Sequence, residues 1–316
     1  MDSKPRLKPR RLRPGATLGV IAPAGPGNQE QTAAGIAWLE QAGFRIKPGT
    51  TVSQELGYLA GPDALRAADL QAMFADPAVD GIICLRGGYG TMRLLELLDY
   101  DLIRQNPKVF VGYSDITALH TSIGQRAGLI TFHGPMVASD MGKELPLYTW
   151  DYFLQAVTAP APLGLIANPP LAPDPAFIVP GTAAGPLTGG NLSLLAATLG
   201  TPYEIDTAGK ILCLEEVGEA PYRIDRLLTQ LSLAGKLQAA AGIVFDVCAD
   251  CETEAKPPSF TIAEVLAERL GSLGKPVLIN LHFGHTADKA TLPLGVNATL
   301  RPEDGGLVIT EAATTA

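Results

Sequence analysis

The 316-residue sequence has no run of 18 apolar residues, the length a bilayer span needs. Nor does an apolar segment follow the basic residues near its start. Thr17–Ala22 is only strand-length and runs into Pro23-Ala24-Gly25-Pro26. No secretory signal and no membrane contact are expected, and the chain reads as soluble and cytoplasmic. Positive charge is in deficit: 24 Lys and Arg against 32 Asp and Glu leave a formal net charge of −8. That balance argues against a nucleic-acid partner. Cysteine is sparse, with four residues, of which Cys84 and Cys213 sit inside apolar runs as small buried hydrophobes. Histidine is equally sparse, so a catalytic base has to be found among His120, His133, His282 and His285. There is no internal repeat and no low-complexity tract.

What is present suits a globular protein with a large core: 47% hydrophobic and 18% charged residues. The length exceeds one average domain, so two are expected. Residues 1–14 carry Lys4, Arg6, Lys8, Arg10, Arg11 and Arg13 against Asp2, which predicts a flexible, solvated basic arm. Residues 15–158 alternate short apolar runs with amphipathic segments. Strands are expected at Thr17–Ala22, Gly81–Leu85, Lys108–Tyr113 and Leu129–Phe132. Helices are expected at Gln29–Ala42, Pro62–Phe74, Met92–Leu98 and Ile116–Ala127, the second with Leu65, Ala68, Leu70 and Met73 as its apolar side. Strand–helix alternation without tight hairpins predicts an α/β domain with a parallel sheet covered on both faces, and ligands bind beyond the carboxyl ends of such strands. Residues 159–188 hold eight prolines and read as a linker. Residues 189–316 form a second α/β region, with strands at Ile211–Leu214, Gly242–Val247 and Val277–Leu281 and short β segments near the end.

Three segments carry candidate chemistry. In Val109-Phe110-Val111-Gly112-Tyr113-Ser114-Asp115-Ile116 an apolar strand meets a Gly, then a Ser, and a helix starts at once. A serine at such a turn has its hydroxyl beside backbone amides and the positive end of a helix, which favour a developing oxyanion. The pattern is not G-x-S-x-G, because Ile116 stands where the second Gly belongs. Ser-Asp is also an ordinary helix N-cap, and the local sequence does not choose between these readings. Upstream, Arg86-Gly87-Gly88-Tyr89-Gly90-Thr91 follows a strand. It lacks the Lys of a phosphate-binding loop and suits a second backbone donor for an oxyanion, or a plain tight turn.

A nucleophile at Ser114 needs a base and an orienting acid. His120, one turn into the helix, reads as a surface or helix-face residue, while His133 ends a strand at the sheet edge that carries Ser114. His282 and His285 flank Phe283-Gly284, a turn that would present His285. The acid is sought in Ile211-Leu212-Cys213-Leu214-Glu215-Glu216, where two carboxylates end an apolar strand. A competing constellation is Cys248, Cys251, His282 and His285, the ligand types of a zinc site in a zinc-dependent hydrolase. A catalytically silent ligand-binding module on the same fold is the other alternative.

Together these segments resemble the LD-carboxypeptidase family of serine peptidases, whose relatives include the microcin C immunity peptidases. The resemblance rests on Ile21-Ala22-Pro23, Arg86-Gly87-Gly88-Tyr89-Gly90, Gly112-Tyr113-Ser114-Asp115, Gly189-Gly190-Asn191, Leu214-Glu215-Glu216 and Gly284-His285, in that order. It implies a Rossmann-like parallel-sheet N-terminal domain and a smaller α/β C-terminal domain, with the active site between them, and a homodimer. It also implies a Ser-Glu-His triad of Ser114, Glu215 and His285, with the amides of Gly88 and Asp115 forming the oxyanion hole. The implied reaction is release of a terminal D-alanine from a murein tetrapeptide or related peptide, without metal or organic cofactor. Gly190 and Asn191, opening a helix, are the candidates for holding the substrate carboxylate. The chain carries Glu216 where members of the family often have Asp.

Overall fold

The computed structural model describes residues 6–252 and 257–316. Lys4 and Asp2 of the expected arm lie outside the described residues. Contacts divide the chain into two units. One runs up to Ala161 and takes back Thr291–Gly295 and Ala312–Ala316; the other comprises Pro162–Ala290 and Val296–Glu311.

The first unit is built on β1 (Thr17–Ile21), β2 (Arg45–Pro48), β3 (Gly81–Cys84), β4 (Val109–Gly112) and β5 (Thr131–His133), all parallel. Their order is 2-1-3-4-5, and Leu292–Leu294 adds an antiparallel edge beyond β5. This is a doubly wound, Rossmann-like sheet. Its order reverses between β1 and β3, where adjacent connections leave on opposite faces and open a crevice at the carboxyl ends. β3 and β4 are buried at every position, as a sheet covered on both sides requires.

Several helices differ from the sequence expectation. Helix Asp63–Ala75 buries Arg66, Ala67, Asp69, Leu70, Met73 and Phe74, so its inward face is rotated away from Ala68. Two charged residues lie on that face because each has backbone partners waiting: Asp69 accepts from the amides of Thr50 and Thr51. The helix expected at Met92–Leu98 is only a short turn, Thr91–Leu94. The next helix is Tyr100–Gln105, started by Asp99, whose side chain accepts from the amides of Asp101 and Leu102.

The second unit contains β6 (Gly164–Leu165), β7 (Ala176–Val179), β8 (Ala183–Asn191), β9 (Ile211–Glu215), β10 (Gly242–Asp246) and β11 (Val277–Leu281). With Leu292–Leu294 of the first unit counted as β12, it is completed by β13 (Asn297–Arg301) and β14 (Gly306–Ile309). The sheet order is β6-β14-β13-β8-β9-β10-β11-β7, with β8 to β11 parallel and the flanking strands antiparallel. Helix Pro221–Leu233 starts with Pro at its first turn and buries Pro221, Ile224, Leu228 and Leu231, a single stripe. Helix Ile262–Gly271 is closed by a reciprocal Thr261–Glu264 cap and packs on the same core. The proline-rich stretch is therefore not all linker. It contributes β6 and β7, the two edges of the sheet, where proline is tolerated because one side of the strand needs no ladder bonds. Among the described residues no helix is long and apolar enough to cross a membrane.

The described part of the basic arm is docked rather than solvated. Leu7 bridges to Leu129, the Arg11 amide donates to Thr315, and the Leu12 amide donates to Val157. Leu12 is 1% exposed: an apolar residue every few positions gives even a basic segment something to bury. Leu12→Ala is accordingly expected to cost about 2–4 kcal/mol of unfolding free energy, measured by urea denaturation. A loss below about 0.5 kcal/mol, the range of surface substitutions, would show that the arm is not part of the fold.

Candidate active site

The first unit presents a serine with unusual geometry. From Lys108 through Ile123 every residue is buried except Ser114. Ser114 follows β4, opens the helical turn Ser114–Ile116, and has φ of +63°. Non-glycine residues enter that left-handed region at a cost of order 1–3 kcal/mol, and such strain collects at functional sites. The ordinary N-cap has extended backbone, so this geometry separates Ser114 from a simple cap. A Cβ on Gly112 would lie 2.9 and 3.0 Å from the Ile116 side chain. Ile116 can therefore replace the second glycine of the common elbow, because Gly112 leaves it room.

The glycine loop after β3 packs directly on this serine. A Cβ on Gly87 would stand 2.9 Å from Ser114 Cβ and 3.0 Å from its Oγ. Gly88 and Gly90 have φ of +111° and +133°, which side chains resist. The loop is held from behind by fully buried Arg66, which donates to the carbonyls of Pro23, Gly61 and Gly90 and pairs with Asp63. It is tied to the elbow by Asp115, whose carboxylate accepts from the Thr91 amide at 2.9 Å while the Thr91 hydroxyl donates to the Asp115 carbonyl. Burial raises the Asp115 pKa, and the Thr91 bonds oppose that shift. Arg66 and Thr91 carried no recognisable sequence signal. Only the unusual burial of an arginine marks the former.

His120 is not a surface residue. It is 2% exposed, and its Nε2–H donates to the Gly112 carbonyl over 2.8 Å. Burial lowers its pKa to about 3, so it is a neutral prop beneath the elbow. His133 is buried beside Tyr113 and His120, with ring centroids 5.9 and 6.3 Å away.

In the second unit the carboxyl ends of adjacent β9, β10 and β11 bring together Glu215, Asp246 and the loop leading to His285. Glu215 is fully buried, and its Oε2 accepts from His285 Nδ1 at 2.7 Å. Burial alone would lower the His285 pKa. The Glu215 charge and hydrogen bond outweigh it, Lys289 opposes them, Glu216 assists, and the net shift is upward. Glu216 points the other way, as strand alternation requires. It accepts from Asn191 Nδ2, the Ser193 amide and the Val217 amide. Asn191, expected with Gly190 to hold a substrate carboxylate, has internal partners at both ends of its side chain. Asn191 Oδ1 caps the following helix, its Nδ2 serves Glu216, and Glu216 already supplies the anion at that helix start.

His282 is pinned elsewhere. Its amide donates to Asn168 Oδ1, its carbonyl accepts from Ala290, and partial burial lowers its pKa. Cys248 and Cys251 are joined to each other in a disulfide. Among the described residues no group of three or more His, Cys, Asp or Glu is placed to hold a metal ion. The zinc alternative therefore lacks a ligand set. Cys213 behaves as expected of a core thiol, its pKa pushed up to about 12 by burial.

The chain is similar to known proteins over most of its length. Residues 18–134 match the model of the LD-carboxypeptidase N-terminal domain and residues 184–300 that of the LD-carboxypeptidase C-terminal domain. The probable murein peptide carboxypeptidase of Bacillus subtilis is 42% identical, the match covering 96% of this chain and 94% of that protein. The solved muramoyltetrapeptide carboxypeptidase of Oxalobacter formigenes superposes with a TM-score of 0.84 at 31% identity, covering 95% of this chain and all of that one. The microcin C7 self-immunity protein MccF of Escherichia coli, in its wild-type unliganded structure, gives 0.89 at 28% identity, covering 98% of this chain and all of that one.

Two outcomes follow from the geometry. Gly87→Ala is expected to keep the fold, since the new methyl meets the Ser114 side chain first and the Asp115 amide nitrogen only at 3.4 Å, yet to displace Ser114 and lower kcat at least about tenfold, an order typical of sub-ångström misplacement. An active Gly87→Ala enzyme would mean that the contact with Ser114 is incidental. Separately, a histidine base has to be neutral to take a proton, so if His285 is that base its raised pKa places the acid limb of kcat/KM above the ordinary histidine value, with activity lost as pH falls through it. In Glu215→Gln burial acts without the balancing charge, and the NMR titration of His285 should move to lower pH. A titration unchanged by Glu215→Gln would rule out the pairing.

Proposed function

The chain belongs to the LD-carboxypeptidase family, and from that premise we propose that it is a serine peptidase releasing terminal D-alanine from peptidoglycan-derived tetrapeptides. The observation that carries this reading is the bond between fully buried Glu215 and His285 Nδ1. Holding Nδ1–H on a carboxylate fixes the tautomer and leaves Nε2 as the nitrogen that receives a proton, the requirement for a base in a triad.

In the proposed reaction Ser114 Oγ attacks the carbonyl of the L,D bond as its proton passes to His285 Nε2. Negative charge on the former carbonyl oxygen is met by the amides of Gly88 and Asp115. The imidazolium, steadied by Glu215, then protonates the leaving nitrogen. The C–N bond breaks, D-alanine departs, and the acyl group remains on Ser114. Water, deprotonated by His285, cleaves the ester and returns the serine hydroxyl. Each proton taken is given back, and no metal or organic cofactor enters. Support for a murein peptide as substrate comes from the names of the Bacillus subtilis and Oxalobacter formigenes relatives. Support for the nucleophile comes from the left-handed, partly exposed Ser114 between buried neighbours.

The test is incubation with murein tetrapeptide while free D-alanine is measured. Wild type should release it, and Ser114→Ala should lose roughly 10⁶ of kcat, the scale seen for triad nucleophiles, with an unchanged melting temperature and peptide binding. A serine-directed phosphonate should label wild type once per chain at Ser114. Binding without D-alanine release or labelling would instead identify a silent ligand-binding module.

A further inference from the structure

We propose that Asp246 is a positioning residue for the Glu215–His285 pair, gripping the backbone immediately before His285 and seating it against Glu215. The inference rests on the assignment of Glu215 and His285 as acid and base. Asp246 ends β10, flanked by β9 with Glu215 and by β11, which leads into the His285 loop. It is 1% exposed, and its Oδ1 accepts from the Phe283 amide at 3.0 Å. A Cβ on Gly284 would fall 2.4 Å from Asp246 Oδ2 and 2.8 Å from Glu215 Cβ. The Gly284 backbone is thus clamped between the two acidic residues, one residue before the imidazole that bonds Glu215.

Nothing in the reaction as written uses Asp246, yet burying a carboxylate at a strand end is costly when an apolar residue would pack there. Its contacts explain the expense. Burial raises the Asp246 pKa to about 7 and the Glu215 charge adds to that, while the amides of Phe283, Val247 and Gly284 pull it down. Asp246 therefore gains and loses its proton in the range where His285 works. The strongest charge effects on His285 come from Glu215, Lys289 and Glu216, and the strongest on Asp246 from Glu215. When ionised, Asp246 is a further negative charge behind Glu215 and favours imidazolium.

Two variants separate the grip from the charge. Asp246→Asn keeps an acceptor for the Phe283 amide but cannot ionise. Its His285 NMR titration and the acid limb of kcat/KM should move together to lower pH, by about half a unit or more, with plateau kcat within about threefold of wild type. Asp246→Ala loses the acceptor. It should lower kcat at least about tenfold at nearly constant KM and abolish the low-field proton signal of the Glu215–His285 bond. Unchanged titration in Asp246→Asn, or loss of folding in both variants, would overturn the proposal. If Asp246→Ala alone fails to fold, the Asn titration decides. The titration needs no substrate, so it is readable even if wild type releases no D-alanine, the result that would overturn the peptidase reading instead.

Discussion

A carboxylate sealed at the end of a buried strand must meet a donor, and in this protein the donor for Glu215 is His285. Much of the second unit follows from that requirement. The β9 strand is apolar up to the residue that needs a partner, so the partner has to arrive from another strand's end. Parallel order puts the ends of β9, β10 and β11 side by side, and a loop leaving β11 can then turn back over β9. The turn has to pass so close to Glu215 and Asp246 that position 284 has no space for a side chain. A charge that would cost several kcal/mol alone becomes, once paired, the device that fixes a histidine's tautomer and lifts its pKa.

The first unit solves a different problem with the same strand ends. There the candidate nucleophile is neutral, and what is stored is backbone strain rather than charge. Ser114 holds a left-handed conformation in close surroundings: Gly112 leaves room for Ile116 on one side, and Gly87 lies so near on the other that a Cβ there would meet the Ser114 side chain. The bonds that enforce this are remote from the hydroxyl. Arg66 fixes three loop carbonyls, Thr91 and Asp115 lock loop to elbow, and His120 holds the last carbonyl of β4. A strained residue persists only when it is over-determined in this way.

The reading of the sequence succeeded where a pattern repeats and failed where a single tertiary contact decides. Alternating apolar runs and amphipathic segments located β1, β3, β4, β5, β9, β10 and β11, because burial on two faces imposes that composition; the parallel strands β2, largely exposed, and β8, inside the proline- and glycine-rich stretch, lack it and were missed. Ser114, Glu215 and His285 were legible as punctuation at strand ends. Asp246 carries a similar signal, a carboxylate near the end of the apolar run Gly242–Val247, but its grip on the Phe283 amide depends on a tertiary contact. Arg66 was invisible, since nothing in a helix's periodicity says that three carbonyls converge on one of its positions. The docked Leu12 and the edge strands β6 and β7 were masked by composition: basic residues and prolines describe what a segment cannot do, not what its few apolar residues will pack against.

The groups that hold the candidate machinery are almost all backbone atoms or buried side chains, and this has a consequence for how such a protein can change its preferences. Tyr58 and Tyr89, 67% and 48% exposed, meet edge to face at 5.7 Å beside the glycine loop, and none of the bonds that fix Ser114 passes through their rings. The loop's shape is dictated by Arg66, Thr91 and the glycines, so residues displayed on it can vary without relaxing the elbow. An interior held by strain and paired charge tolerates little substitution, and the exposed residues around it are where differences among related peptidases can accumulate at small cost to stability.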